Sequence, residues 1–86
     1  MKPADALQAA QAAAKTRQLL LTMHARESMA KRGVQVVDLN EAIRTAKDAI
    51  WSEKEQTWRL SGGKDSEGDD LTVVVCFDPA RVITVF

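Results

Sequence analysis

The chain has 86 residues, 45% of them apolar and 28% charged, which suits one small globular domain near the size at which a single core suffices. Its formal charge is zero but unevenly spread: residues 2–32 hold six cations and two acids, a balance of +4, whereas residues 53–78 hold three cations and seven acids, a balance of −4. A polyanion would be drawn to the first region and repelled by the second, which excludes a generic nucleic-acid coat.

No apolar run approaches the roughly 18 residues needed to span a bilayer. The stretch from Ala4 to Ala14 is rich in alanine and glutamine, with Asp5 inside it, and does not read as a signal peptide. One cysteine, Cys76, cannot form an internal disulfide. It sits in the run Thr-Val-Val-Val-Cys-Phe and is expected to be a buried strand thiol in a reducing compartment. The expected location is cytoplasmic, with no membrane partner.

Pro3 is acceptable at a helix start, and Ala4 to about Gln18 are mostly strong helix formers. Leu7, Ala10 and Ala14 mark a thin apolar stripe. Residues 1–18 are read as an alanine-rich helical extension and 19–86 as a single α+β domain. Leu19 to Leu21 continue a helix readily, but three apolar residues do not settle the element by period.

Residues 22–34 read as a short helix. Thr22 is the expected N-cap and Gly33 the left-handed residue that ends it, with Lys31 and Arg32 suiting its negative pole. Ala25 and Met29 share an apolar stripe. His24, the one histidine, falls on a neighbouring face with Ser28, Lys31 and Arg32. Asp38 followed by Glu41 has the pattern of a capping box, so a second helix is expected from Asp38 to about Lys47, with Leu39, Ala42, Ile43 and Ala46 inward.

Four strands are expected over 49–52, 57–61, 71–77 and 82–86. Short turns between them imply an antiparallel meander, and the apolar run 73–77 implies a central strand covered on both faces. Asp78-Pro79-Ala80-Arg81 reads as a tight turn. Residues 62–70 read as a flexible hairpin loop. Its acids lack the spacing of a calcium loop, and Gly62-Gly63-Lys64 lacks the frame of a P-loop. Helices first and strands after predict an α+β fold, with the N-terminal helices packed on one side of a three- to four-stranded antiparallel sheet.

Thr22, His24-Ala25, Met29, Arg32-Gly33-Val34, the acid-capped second helix and the final Val82-Ile83-Thr84-Val85 resemble the domain-of-unknown-function 4258 family, from about Leu19 to Phe86. The family pattern often has an arginine just before the methionine, where this chain has Ser28. The resemblance implies a RelE-like or barnase-like fold and the toxin side of a bacterial toxin–antitoxin pair. The partners it implies are RNA, ribosome-bound mRNA included, and a cognate antitoxin covering the cationic face.

A zinc site fails on inventory, since one histidine and one cysteine do not make the usual tetrahedral set. A helix-turn-helix reading would aim Asp38 and Glu41 at phosphates, which is unfavourable. Metal-independent RNA cleavage needs less, because the 2′-hydroxyl is already the nucleophile. Imidazole suits the proton transfer and arginine the charged phosphate. The expected catalytic residues are His24, Arg32 and Arg59, with Lys31, Lys64 and Thr84 binding substrate and no cofactor. Trp58 and Arg59 should point to opposite faces of their strand. Trp51 and Trp58 could stack bases, although packing is the ordinary use of at least one. The rival expectations are a binding module of the same fold without catalysis, which Ser28 favours, and a structural homodimer made through the N-terminal helix or an edge strand.

Overall fold

The computed structural model describes residues 1–86. Three helices, α1 (Pro3–Lys15), α2 (Met23–Arg32) and α3 (Val36–Thr45), pack with five strands, β1 (Leu20–Leu21), β2 (Asp48–Ser52), β3 (Thr57–Ser61), β4 (Val73–Cys76) and β5 (Arg81–Val85). The sheet order is β1-β5-β4-β3-β2. The class is α+β, as expected, but the sheet is not a purely antiparallel one of three or four strands. Leu20 and Leu21 pair in parallel with Arg81 and Val82 and add a fifth strand at the edge. Two residues carry no period, and only the partner strand 60 residues on makes them a strand.

Helix α1 starts on Pro3 and ends three residues short of Gln18, at Lys15, with Thr16 as its C-cap. The Gln18 N–H reaches the Ala13 carbonyl at 2.9 Å and the Arg17 N–H reaches Ala14 at 3.3 Å, a Schellman closure. Arg17 stands at φ 60, where such closures ordinarily place glycine. The buried stripe of α1 is Ala6 and Ala10, with Leu7 and Ala14 at its margins. Both alanines belong to the same core as the sheet, so α1 is packed into the domain.

Thr22 caps α2 as expected. Its Oγ1 accepts from the Ala25 N–H at 3.1 Å and donates to the Val82 carbonyl at 2.8 Å. One and a half turns later Ser28 Oγ accepts from the Val85 N–H at 3.2 Å and donates to the Ala25 carbonyl. A serine, not an arginine, thus stitches α2 to β5 at this position. Gly33 ends the helix at φ 67. Helix α3 starts earlier than expected, with Gln35 at the cap. Asp38 sits in its first turn and accepts from the Gln35 N–H at 3.0 Å. The acid is therefore the return half of the capping motif, not the cap.

Strand β4 is the middle strand, flanked by β3 and β5. Val73 and Val75 are fully buried, on the side that receives Ala25, Leu39, Ala42 and Ile43. Cys76 departs from expectation: it ends the strand half-buried, its thiol directed at the Gln56 carbonyl. Trp58, 6% exposed, is on the core side, and Arg59 is on the opposite side. Trp51 pairs with Trp58 at 5.1 Å between ring centroids and is 41% exposed. The registers align Ile50, Arg59, Val74 and Thr84 in one row across the outer face.

Between Val82 and Thr84 the register slips, because Val74 faces Thr84 and Val75 faces Val82. Ile83 is the extra residue of a β-bulge, which lets Val82 and Val85 both enter the core despite their odd spacing.

The loop at residues 62–70 is exposed but tied down. Lys64 pairs with Asp70, Asp65 Oδ1 accepts from the N–H groups of Glu67 and Asp69, and Ser66 bonds to the Asp38 carboxylate. The Lys64 N–H also donates to Thr45 Oγ1 at 2.8 Å. The loop's glycine-rich polar composition predicts flexibility, and the ties that hold it run to partners as far as 28 residues away in sequence. No helix is long and apolar enough to cross a membrane.

Candidate functional site

The outer face of the sheet carries a cavity of about 260 Å³, lined by His24, Ser52, Glu55, Thr57, Arg59, Val74, Ile83 and Thr84. Four elements build it. Thr22 fixes the start of α2 and thereby His24, which occupies the second helical position. Strand alternation puts Thr57 and Arg59 on one face, and cross-strand register sets Ser52 beside Thr57 and Val74 beside Arg59. The bulge turns both Ile83 and Thr84 toward the cavity, where an unbroken strand would send neighbours to opposite faces.

Glu55 comes from the turn joining β2 and β3. Its N–H donates to Ser52 Oγ at 3.2 Å, and the Gln56 N–H donates to the Ser52 carbonyl at 2.8 Å. Gln56 Nε2 closes the turn on the Glu53 carbonyl at 2.7 Å. The Arg59 guanidinium lies over the Phe86 ring, 5.3 Å from its centroid. Phe86 is itself held by two backbone hydrogen bonds with Thr72. The two ion pairs of the protein, Glu41–Arg44 and Lys64–Asp70, leave Arg59 free of any carboxylate.

Of the expected site residues, the cavity brings together His24, Arg59 and Thr84. It does not include Arg32, Lys31 or Lys64. Arg32 is eight residues beyond His24, about 12 Å along a helix axis, so a shared helical face does not make a shared site. Lys31 and Arg32 are exposed in the last turn of α2. Lys64 is occupied by Asp70, whose hydrogen bond and charge hold its amine above the ordinary value.

Sequence reasoning missed Ser52, Glu55 and Thr57. Thr57 was within reach of it, being two residues before Arg59 on the same strand face. Glu55 was not, because its contribution depends on how the turn folds back toward α2.

Chemically, the cavity offers one imidazole, one carboxylate, one guanidinium and three hydroxyls around an apolar floor of Val74 and Ile83. That is two groups able to move protons and one able to hold an anion, around a space of about 260 Å³.

A family model, domain of unknown function (DUF4258), matches residues 21–86. The chain belongs to this family. No curated protein and no solved structure matches it. Every residue lining the cavity lies inside the DUF4258 span. Helix α1 lies outside that span, yet it supplies Ala6 and Ala10 to the core.

Proposed function

We propose that this protein is a metal-independent endoribonuclease of the toxin type, acting from the cavity of His24, Glu55 and Arg59. The observation that carries the reading is the convergence of the one histidine with a carboxylate and an unpaired arginine on the outer face of the sheet. Cleavage of RNA by its own 2′-hydroxyl requires a base at that oxygen, an acid at the departing 5′-oxygen, and positive charge at the phosphate. One of His24 and Glu55 takes the 2′ proton as O2′ bonds to phosphorus. The other protonates the 5′-oxygen as its bond to phosphorus breaks. The products are a 2′,3′-cyclic phosphate and a free 5′-hydroxyl. Arg59 carries the negative charge on the non-bridging oxygens, and the Thr57 and Thr84 hydroxyls donate to the same group.

The RelE-like or barnase-like fold and the toxin–antitoxin setting belong to this proposal, as do a bacterial source and a cytoplasmic location. Arg32 and Lys31, outside the cavity, serve as sites for phosphates further along the strand or for an inhibitor.

The test is cleavage of a defined RNA by purified protein in the presence of a chelator, with and without ribosomes. His24→Ala and Glu55→Gln should each lower the rate about 10²–10⁴-fold, the usual contribution of a general acid or base. RNA left intact by the wild-type protein under both conditions would remove the enzyme reading and leave a binding module of the same fold.

A further inference from the structure

A second concavity lies between α1, β1 and α3. It has a volume of about 490 Å³ and an apolar lining that includes Leu19, Leu21, Val37 and Leu39, with Arg17 at its margin. A recess of about 400 Å³ adjoins it, sharing Ala14 and Asn40 and adding Gln11, Lys15 and Arg44. The two make one trough along the α1–α3 seam.

Val36 and Val37 at its edge are 55% and 59% exposed, although both open a helix that has ample core-facing positions of its own. The trough carries three cations and no carboxylate in its lining. Arg44 is committed to Glu41, but Lys15 and Arg17 have no acidic partner.

Arg17 adds an independent indication. It occupies the left-handed position of the α1 closure at φ 60, a conformation that is unfavourable for a residue with a side chain. The same chain places Gly33 at the equivalent position of α2, at φ 67. Glycine would end α1 with less strain, and strain held at one residue commonly marks a functional constraint. What the arginine adds here is a long side chain with a fixed charge at the mouth of an apolar trough.

We propose that this trough docks an acidic amphipathic helix from a partner protein, its apolar residues against Val37, Leu19 and Leu21 and its acids against Arg17 and Lys15. Apolar anchors in a pocket supply most of such an affinity, and rim charges supply orientation and salt dependence. The proposal is independent of the ribonuclease reading, since the trough is built by a different set of residues from the cavity.

The test is selection of displayed random 16-residue peptides on the purified full-length protein, followed by titration of the winning peptides. The expected winners carry leucine-like residues at helical spacing with an excess of acids, and bind less tightly as salt rises. Val37→Asp should weaken them by about tenfold or more, the loss expected from placing a negative charge at an apolar contact and beside the acids of the bound helix. This substitution falls in the first turn of α3, where an acid is tolerated by the helix dipole, so the fold should survive it. Arg17→Gly should weaken binding several-fold and flatten the salt dependence, while the melting temperature holds or rises. Winners without acidic excess, or winners that bind Val37→Asp or Arg17→Gly as tightly as the wild type, would overturn the proposal. So would failure to select any peptide, or a wild-type dimer that Val37→Asp converts to monomer.

Discussion

The guanidinium of Arg59 rests 5.3 Å from the centre of the Phe86 ring, while Phe86 is paired through its backbone with Thr72. An arginine on the open face of a sheet would otherwise sample several rotamers. The ring limits that freedom and holds the cation beside Val74, at the floor of the cavity. Removing the charge and loosening it are therefore separable. Arg59→Ala should lower RNA cleavage about 10²–10³-fold, the effect of losing one donor to the transition-state charge. Phe86→Ala should lower it only about two- to fivefold, in line with an exposed cation–π contact of about 0.5–1 kcal/mol. Arg59→Lys should restore activity in part, because a point charge does not reproduce bidentate phosphate contact. Single-turnover rates on one RNA oligonucleotide separate these outcomes.

Thr22 links the helix carrying His24 to the strand carrying Thr84. Its hydroxyl caps α2 and also donates to the Val82 carbonyl. Thr22→Val keeps the shape and removes both bonds, so it should cost about 1–2 kcal/mol of stability. It should also reduce cleavage by displacing His24. Thr22→Ser should recover most of both losses. Melts of the three proteins, run beside the cleavage assay, check the prediction.

Two glycines make opposite demands. A Cβ on Gly63 would lie 2.1 Å from the Ala42 carbonyl oxygen, whereas one on Gly33 would meet nothing within 4 Å. Gly33→Ala should then cost only the left-handed conformation, about 1–2 kcal/mol. Gly63→Ala forces the loop off α3 and should cost about 3 kcal/mol or more. For a domain of this size each kcal/mol moves the melting temperature by about 4–8 °C, so calorimetry resolves the two.

Ser66 donates to the Asp38 carboxylate, which also accepts from the Gln35 N–H, and together they hold it below the ordinary value of 3.8. A carboxyl depressed in the folded state adds stability above its unfolded pKa. That contribution is lost as the pH falls through the folded value. Asp38→Asn should lower the melting temperature at pH 7, and the difference from wild type should shrink as the pH drops below about 4. A pH series of melts on both proteins reads this directly.

Local features were legible in the sequence, because they depend on near neighbours. Thr22 and Gly33 bound α2 as their residue types predict, and the apolar run through Val73–Val75 is the middle strand. Features set by distant chain were not legible. Leu20–Leu21 become a strand only against β5, and residues 62–70 are tied to Asp38 and Thr45 by side chains that no spacing rule connects. The site shows the same division. Residue type points to Arg59 and the family's terminal strand pattern to Thr84, but the meeting of Thr84 with His24 depends on the bulge at Ile83, and the sequence there reads as an ordinary apolar strand. Arg32 was nominated because it shares a helix with His24, and helix length then separates the two.

In the proposed reaction His24 works with Glu55 and Arg59, and not with Arg32. The most direct measurement is cleavage of one short RNA, and of the same RNA with a single 2′-deoxy sugar at the scissile position, by wild type, His24→Ala and Arg32→Ala in chelator. The proposed mechanism gives wild-type products ending in a 2′,3′-cyclic phosphate and a 5′-hydroxyl, and no cleavage at the deoxy position. It gives a loss of about 10²–10⁴-fold in His24→Ala and a change of less than about threefold in Arg32→Ala. Products ending in a 3′-hydroxyl, or a His24→Ala protein as active as the wild type, would contradict it.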